Sequence, residues 1–252
     1  MEQSLPHLSP RLALAASFVR PGSRVADIGT DHAYLPVWLV RTGVCPRAFA
    51  SDVREGPLAA ARRTALRFGA QDRVDFTLAD GLAGLAPGQA EDIVLAGMGG
   101  ELIAELIARC AWLRNPAYRL ILQPMTAQPE LHAFLCENGF SIEREEVASE
   151  KGGRKLYLVI AAVYGGGSRI PTPAYLYCGE LEAGGQDAGA ENARAYLLRQ
   201  AEALCKRARG LRASREPDEA QAGRLEEIAG LVAERALRPN KEGIAAPKQE
   251  GL

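Results

Sequence analysis

The chain has 252 residues, 47% of them hydrophobic, and a formal net charge of −1. That length suits one large domain, or one ordinary domain with an appendage, and the absence of any run of about 18 apolar residues excludes a membrane-spanning helix. A near-neutral charge leaves any nucleic-acid contact to a local basic patch.

The amino terminus, Met1-Glu-Gln-Ser-Leu-Pro6, lacks the basic and apolar regions of a secretory signal. Five cysteines (Cys45, Cys110, Cys136, Cys178, Cys205) are scattered without metal-ligand spacing, and an odd number makes a poor disulfide framework. A reduced, cytoplasmic protein with no metal is expected.

In chain order, Pro10–Val19 reads as a short amphipathic helix. Arg24–Gly29 is a first strand whose last residues are Asp27-Ile-Gly29. A helix from about His32 to Arg41 carries Tyr34, Leu35, Val37, Trp38 and Val40 at helical spacing. Then come strand Arg47–Val53, helix Gly56–Phe68, and strand Val74–Ala79 followed by Asp80-Gly81. Strand Asp92–Ala96 ends in Gly97-Met-Gly-Gly100, and helix Glu101–Trp112 follows. Strand Tyr118–Leu122 ends in Gln123-Pro124, and helix Pro129–Asn138 closes on Gly139. Phe140–Ser149 and Arg154–Tyr164 form an antiparallel hairpin turning at Glu150-Lys-Gly-Gly153.

Strand–helix alternation with near-continuous apolar strands predicts an α/β fold: a mostly parallel, seven-stranded sheet covered on both faces and closed by an antiparallel hairpin. Gly165-Gly-Gly-Ser168 is a composition break, and a domain boundary is placed there, giving domains 1–165 and 166–252. Beyond it, Leu197, Ala201, Leu204, Ala208 and Leu211 form a heptad seam. A second helix follows Pro217 with Leu225, Ile228, Ala229, Val232 and Ala236, so a helical hairpin is expected. The polar stretch Arg238–Leu252 is expected to be disordered.

The polar and glycine-rich features fall at the carboxyl ends of strands, where ligands bind in open α/β sheets. The first turn lacks the remaining glycines of GxGxxG and carries Asp27 and Asp31 instead, which disfavours a pyrophosphate. Asp52 ends the second strand, where a ribose-binding acid belongs, and Asp80 could accept from an adenine amino group. Asp27 and Gly29 would lie under the ammonium-bearing part of a phosphate-free cofactor. S-adenosylmethionine meets these requirements, and a nicotinamide dinucleotide does not.

The blocks Val25-Ala-Asp-Ile-Gly-Thr-Asp-His-Ala-Tyr-Leu-Pro36, Ser51-Asp-Val53, Glu55-Gly-Pro57, Ala79-Asp-Gly81, Ala96-Gly-Met-Gly-Gly100 and Leu122-Gln-Pro124 resemble those of the TrmK family of bacterial tRNA adenine-N1-methyltransferases. The resemblance runs from about Leu8 to Tyr164 and, more weakly, through the helical tail. It implies a class I methyltransferase domain with a carboxyl-terminal coiled coil. It implies S-adenosylmethionine as cofactor and N1 of adenine 22 in the D-arm of tRNA as target. By position, Asp27, Gly29, Asp31 and His32 would carry the first cofactor motif. Asp52 and Val53 would meet the ribose, Asp80 and Gly81 the adenine, and Gly97 the far side.

Adenine N1 has an in-plane lone pair, so the enzyme must extrude and orient the base rather than form a covalent intermediate. Candidate chemistry falls to Asp31, facing the cationic product, to Met98, packing on the base, and to Gln123, hydrogen-bonding its edge. Arg63 and Arg67 share one helix face. Lys206, Arg207, Arg209 and Arg212 form a sharper group with no acid among them, so both groups are candidate RNA contacts. The alternatives are a methyltransferase with a small-molecule or protein acceptor, and a non-catalytic RNA-binding protein on the same fold. A monomer is expected, with a dimer through the carboxyl-terminal helices as the other reading of the seam.

Overall fold

The structure is a computed structural model and describes residues 4–238. It comprises two compact units, one ending at Glu180 and one beginning at Leu181. The first opens with α1 (Pro10–Phe18), β1 (Val25–Ile28), α2 (Tyr34–Arg41), β2 (Ala48–Asp52), α3 (Glu55–Arg67) and β3 (Val74–Leu78). It continues through β4 (Asp92–Gly99), α4 (Gly100–Ala108), β5 (Arg119–Thr126), α5 (Gln128–Glu137), β6 (Phe140–Glu150), β7 (Lys155–Tyr164) and the single turn α6 (Tyr175–Cys178).

One seven-stranded sheet has the order β3-β2-β1-β4-β5-β7-β6. The first five strands pair in parallel, and β7 runs antiparallel to both β5 and β6. This is the expected mixed sheet with a closing hairpin. All four residues of β1 are buried, as a strand covered on both faces requires. The chain steps outward from β1 to β2 and β3, then returns to lay β4 on the other side of β1. That reversal leaves a crevice at the carboxyl edge between β1 and β4.

Strands β4 and β5 run further than their apolar segments indicate. Gly97-Met-Gly-Gly100 was expected to be a turn, but β4 continues through it to Gly99, paired to β5 as far as Thr126. The register slips at Met98, and Gly97 adopts φ +79°. A bulge built on a left-handed glycine keeps the ladder while bending the strand over the crevice. Gly100 then starts α4 against the turn after β5, where a Cβ would meet the backbone of Ala127, with its carbonyl carbon at 2.8 Å. Backbone cannot yield as a side chain can. Gly100→Ala should therefore cost about 1–3 kcal/mol, read as a lower urea midpoint at unchanged slope.

The composition break at Gly165-Gly-Gly-Ser168 falls inside the first unit. The N–H groups of Gly165 and Gly166 both donate to the Gly139 carbonyl, and that of Arg169 donates to Cys136. The chain thus stays bound to the end of α5 past the glycines and leaves the unit only at Glu180.

The second unit is a helical pair, α7 (Ala188–Arg212) and α8 (Glu219–Leu237). Asp187 and Asp218 cap them, accepting from the N–H groups of Ala190 (2.9 Å) and Gln221 (2.8 Å). Leu197, Ala201, Leu204 and Ala208 are buried on α7, and Ala222, Leu225, Ala229, Val232 and Ala236 on α8. The heptad seam is therefore covered within the chain. The tail expected to be disordered lies, apart from Arg238, outside the described residues.

Candidate functional site

Nine polar or charged residues are buried among the described residues, and five of them (Asp27, Thr30, Ser51, Asp52, Gln123) gather at the carboxyl edge of the sheet. Burying such groups is unfavourable without partners, so their concentration marks a built site. A cleft of about 570 Å³ opens there, lined by Asp27, Gly29, Asp31, Asp52, Gly97 and Arg11 among others. A second lobe of about 320 Å³ shares Gly29, Asp52 and Arg54 with it and adds Val53, Asp80, Gly81 and Met98. The two form one groove across the ends of β1, β2 and β4.

Asp27 is the most perturbed group in the groove. Burial pushes its carboxyl up to about 6, a hydrogen bond with Thr30 opposes this, and the nearby Asp52 charge adds to it. At the turn after β1, the N–H groups of Gly29 and Thr30 both donate to Ser51 on β2, at 2.8 and 2.9 Å. Gly29 takes φ +76°, and a Cβ there would run into the Met98 methyl. Thr30 Oγ1 accepts from the Ala33 N–H at 3.1 Å. Ala33 is itself left-handed (φ 55°), so α2 starts at Tyr34 rather than His32.

Asp31 and His32 stand on the rim. The Asp31 side chain is 75% exposed and lies 3.4 Å from His32 Nε2. His32 stacks on Tyr34 with ring centroids 5.4 Å apart. Asp52 Oδ1 accepts from the Arg54 N–H at 2.8 Å, with the Arg54 guanidinium 3.7 Å away. Asp80 is exposed beside Arg109 at 3.7 Å. Met98 lines the lobe of Asp80 and Gly81 and is absent from the lining shared by Asp31 and Gly97.

Gln123 is placed differently from its expected role. It is fully buried, and its amide is already engaged. Its Oε1 accepts from Arg11 Nη1 at 2.8 Å, and its Nε2 donates to Pro124 O at 3.1 Å. It holds Arg11 in the cleft rather than presenting an edge to a base. Arg11 was not singled out from the sequence, and neither was Ser9 beside it. Both lie on the amino-terminal helix segment, outside the β/α repeat that marks the other site residues.

Of the basic candidates, Arg63 and Arg67 are exposed on α3, with Arg67 over the Phe68 ring. Lys206, Arg207 and Arg209 are exposed on α7. Arg212 is not available in the same way. It pairs with Glu219 (2.9 Å) and, through two nitrogens, with Glu226 on α8. No helix of the described residues is long and apolar enough to cross a membrane.

A family model for a methyltransferase domain matches residues 8–160. The tRNA (adenine(22)-N(1))-methyltransferase of Bacillus subtilis is 34% identical over 158 residues, 63% of this chain and 66% of that protein. The chain spans between 56% and 66% of the length of the curated relatives it matches. The crystal structure of B. subtilis TrmK superposes with a TM-score of 0.74 at 27% identity, covering 90% of this chain and 99% of that one. A Streptococcus pneumoniae putative tRNA (m1A22) methyltransferase, solved with S-adenosyl-L-methionine, gives a TM-score of 0.74 at 30% identity, covering 90% and 100%. With this sheet order, this carboxyl-edge groove and a family model spanning more than half its length, the chain belongs to the methyltransferase-domain family and, within it, to the TrmK family.

Proposed function

We propose that this chain is an S-adenosylmethionine-dependent methyltransferase that acts on N1 of an adenine, position 22, in tRNA. The observation that carries the reading is the row of carboxylates along one groove, Asp27, Asp52 and Asp80, with no phosphate cradle beside them. Such a row suits a ligand that offers hydroxyls, an amino group and an ammonium. The names of the B. subtilis and S. pneumoniae relatives point the same way.

The cofactor supplies an electrophilic methyl group when bound. Asp52, beside Val53, accepts from ribose hydroxyls, and Asp80, beside Gly81, from the adenine amino group. Asp27, Asp31 and His32 line the end that receives the amino acid, with Gly29 and Gly97 leaving room for close approach. Asp31, exposed at the rim, is placed to favour the positive charge that develops on the purine. Met98 packs between the lobes and fixes the depth to which a ligand enters.

Lys206, Arg207 and Arg209 give the helical unit a phosphate-binding face, with Arg63 and Arg67 as a second one on α3. Arg212 serves the helical pair instead. Replacing Lys206, Arg207 and Arg209 together by alanine should weaken tRNA binding at low salt. It should also reduce the slope of log affinity against log salt by about one per lost phosphate contact, measured by filter binding. The seam covered within the chain supports a monomer, and the free cysteines support a cytoplasmic setting. Incubation with unmodified tRNA and labelled S-adenosylmethionine, followed by nucleoside mapping, tests the whole reading. Methylation at any atom other than adenine N1, or none, overturns it.

A further inference from the structure

We propose that Ser9 and Arg11 are the carboxylate receptor of this groove, holding the amino-acid carboxylate of the cofactor opposite the ammonium at Asp27 and Asp31. The inference rests on the cofactor reading above and adds the residues that distinguish an amino acid from a bare nucleoside thioether.

Two observations carry it. Ser9 lines the cleft, and its Oγ is buried with no hydrogen-bond partner among the described residues. It occupies the N-cap of α1 without capping it. A serine at that position ordinarily accepts from a helix N–H, so an idle, buried hydroxyl leaves a donor that a ligand can satisfy. Arg11 lines the same cleft, and its guanidinium makes no ion pair among the described residues. Gln123 takes one of its five donors at 2.8 Å, and Tyr157 lies under it with the ring centroid 5.8 Å away.

Charge decides what such a pair is for. Asp27, Asp31 and Asp52 would repel a free carboxylate, and the Glu150 carboxylate lies 3.5 Å from the Arg11 backbone nitrogen. Arg54, the other arginine in the lining, sits 3.7 Å from Asp52. Arg11 is therefore the cation left to receive an anion. Its Nη1 lies 3.5 Å from where a Cβ on Gly97 would stand, so the glycine keeps the space in front of the guanidinium open. A zwitterion then spans the cleft, ammonium toward β1 and carboxylate toward α1.

The test uses calorimetry with S-adenosylhomocysteine and with 5′-methylthioadenosine, which lacks the amino acid. Arg11→Gln should weaken S-adenosylhomocysteine on the order of 10- to 100-fold and leave methylthioadenosine unchanged. Arg11→Lys should recover part of that loss, and Ser9→Ala should lose several-fold on the same ligand alone. Equal losses on both ligands would assign Arg11 a structural role through Gln123 and overturn the proposal, as would unchanged S-adenosylhomocysteine binding in Arg11→Gln. A wild-type protein that binds neither ligand would instead sink the cofactor reading itself. Should Arg11→Gln fail to fold by circular dichroism, Ser9→Ala and Arg11→Lys carry the comparison.

Discussion

Asp27→Asn should give a protein that is more stable than the wild type at neutral pH and nearly unable to bind S-adenosylhomocysteine. The free carboxyl titrates at about 6 against an ordinary 3.8, mainly because it is buried. Between those values the unfolded chain has released this proton and the folded chain has not. Rising pH therefore favours unfolding across that window, and above about 6 the loss is complete. The shift amounts to about 3 kcal/mol at most. Asparagine carries no such charge, so the variant's advantage should be largest above pH 6 and vanish below about pH 4. Thermal melts at pH 4, 5, 6 and 8 measure it. Affinity should move the other way, on the order of 100-fold weaker, because an ammonium ligand loses its buried partner. Wild-type affinity should also fall as pH drops through 6, while the variant's stays flat. A variant no more stable than wild type at pH 8 would remove Asp27 as a stored, function-bearing charge.

The site's acidic half was legible because strand ends are local features. Asp27, Asp52 and Asp80 each close an apolar run, and parallel topology then puts them on one edge. The other half depends on contacts that no spacing encodes. Arg11 meets Gln123 across 112 positions, so the pair emerges only once α1 is laid against the sheet. Arg212 belongs to a basic run in sequence, yet the hairpin register turns it toward Glu219 and Glu226. Gly97-Met-Gly-Gly100 has turn composition, but one left-handed glycine is enough to bulge a strand without ending it. The glycines at 165–167 read as a boundary because composition cannot show that the chain beyond them is tied back to α5. What ties it is a pair of residues that alternation alone leaves unremarked.

That pair is His132 on α5 and Glu145 on β6, both buried, with His132 Nε2 2.7 Å from Glu145 Oε1. His132 Nδ1 reaches the Leu176 carbonyl at 2.7 Å, and Glu145 Oε2 accepts from the Glu180 N–H at 2.6 Å. Two ends of the 169–180 segment are thus held by one ion pair. Burial alone would lower the histidine's affinity for its proton. The Glu145 charge and hydrogen bond, with the Leu176 carbonyl and the Glu180 charge, outweigh it and raise the group above its ordinary 6.5. His132→Leu should leave Glu145 as a buried, unmatched charge and cost about 3–5 kcal/mol, read by urea unfolding. Replacing both residues by leucine should recover part of that, since the stranded charge goes with its partner. The sign with pH follows from the raised value. The pair's contribution is complete below 6.5 and declines as pH rises through the folded histidine's higher value. Wild-type stability should therefore fall toward alkaline pH with a component that the double variant lacks. Identical pH profiles for the two proteins would show that the segment is held by its backbone contacts alone.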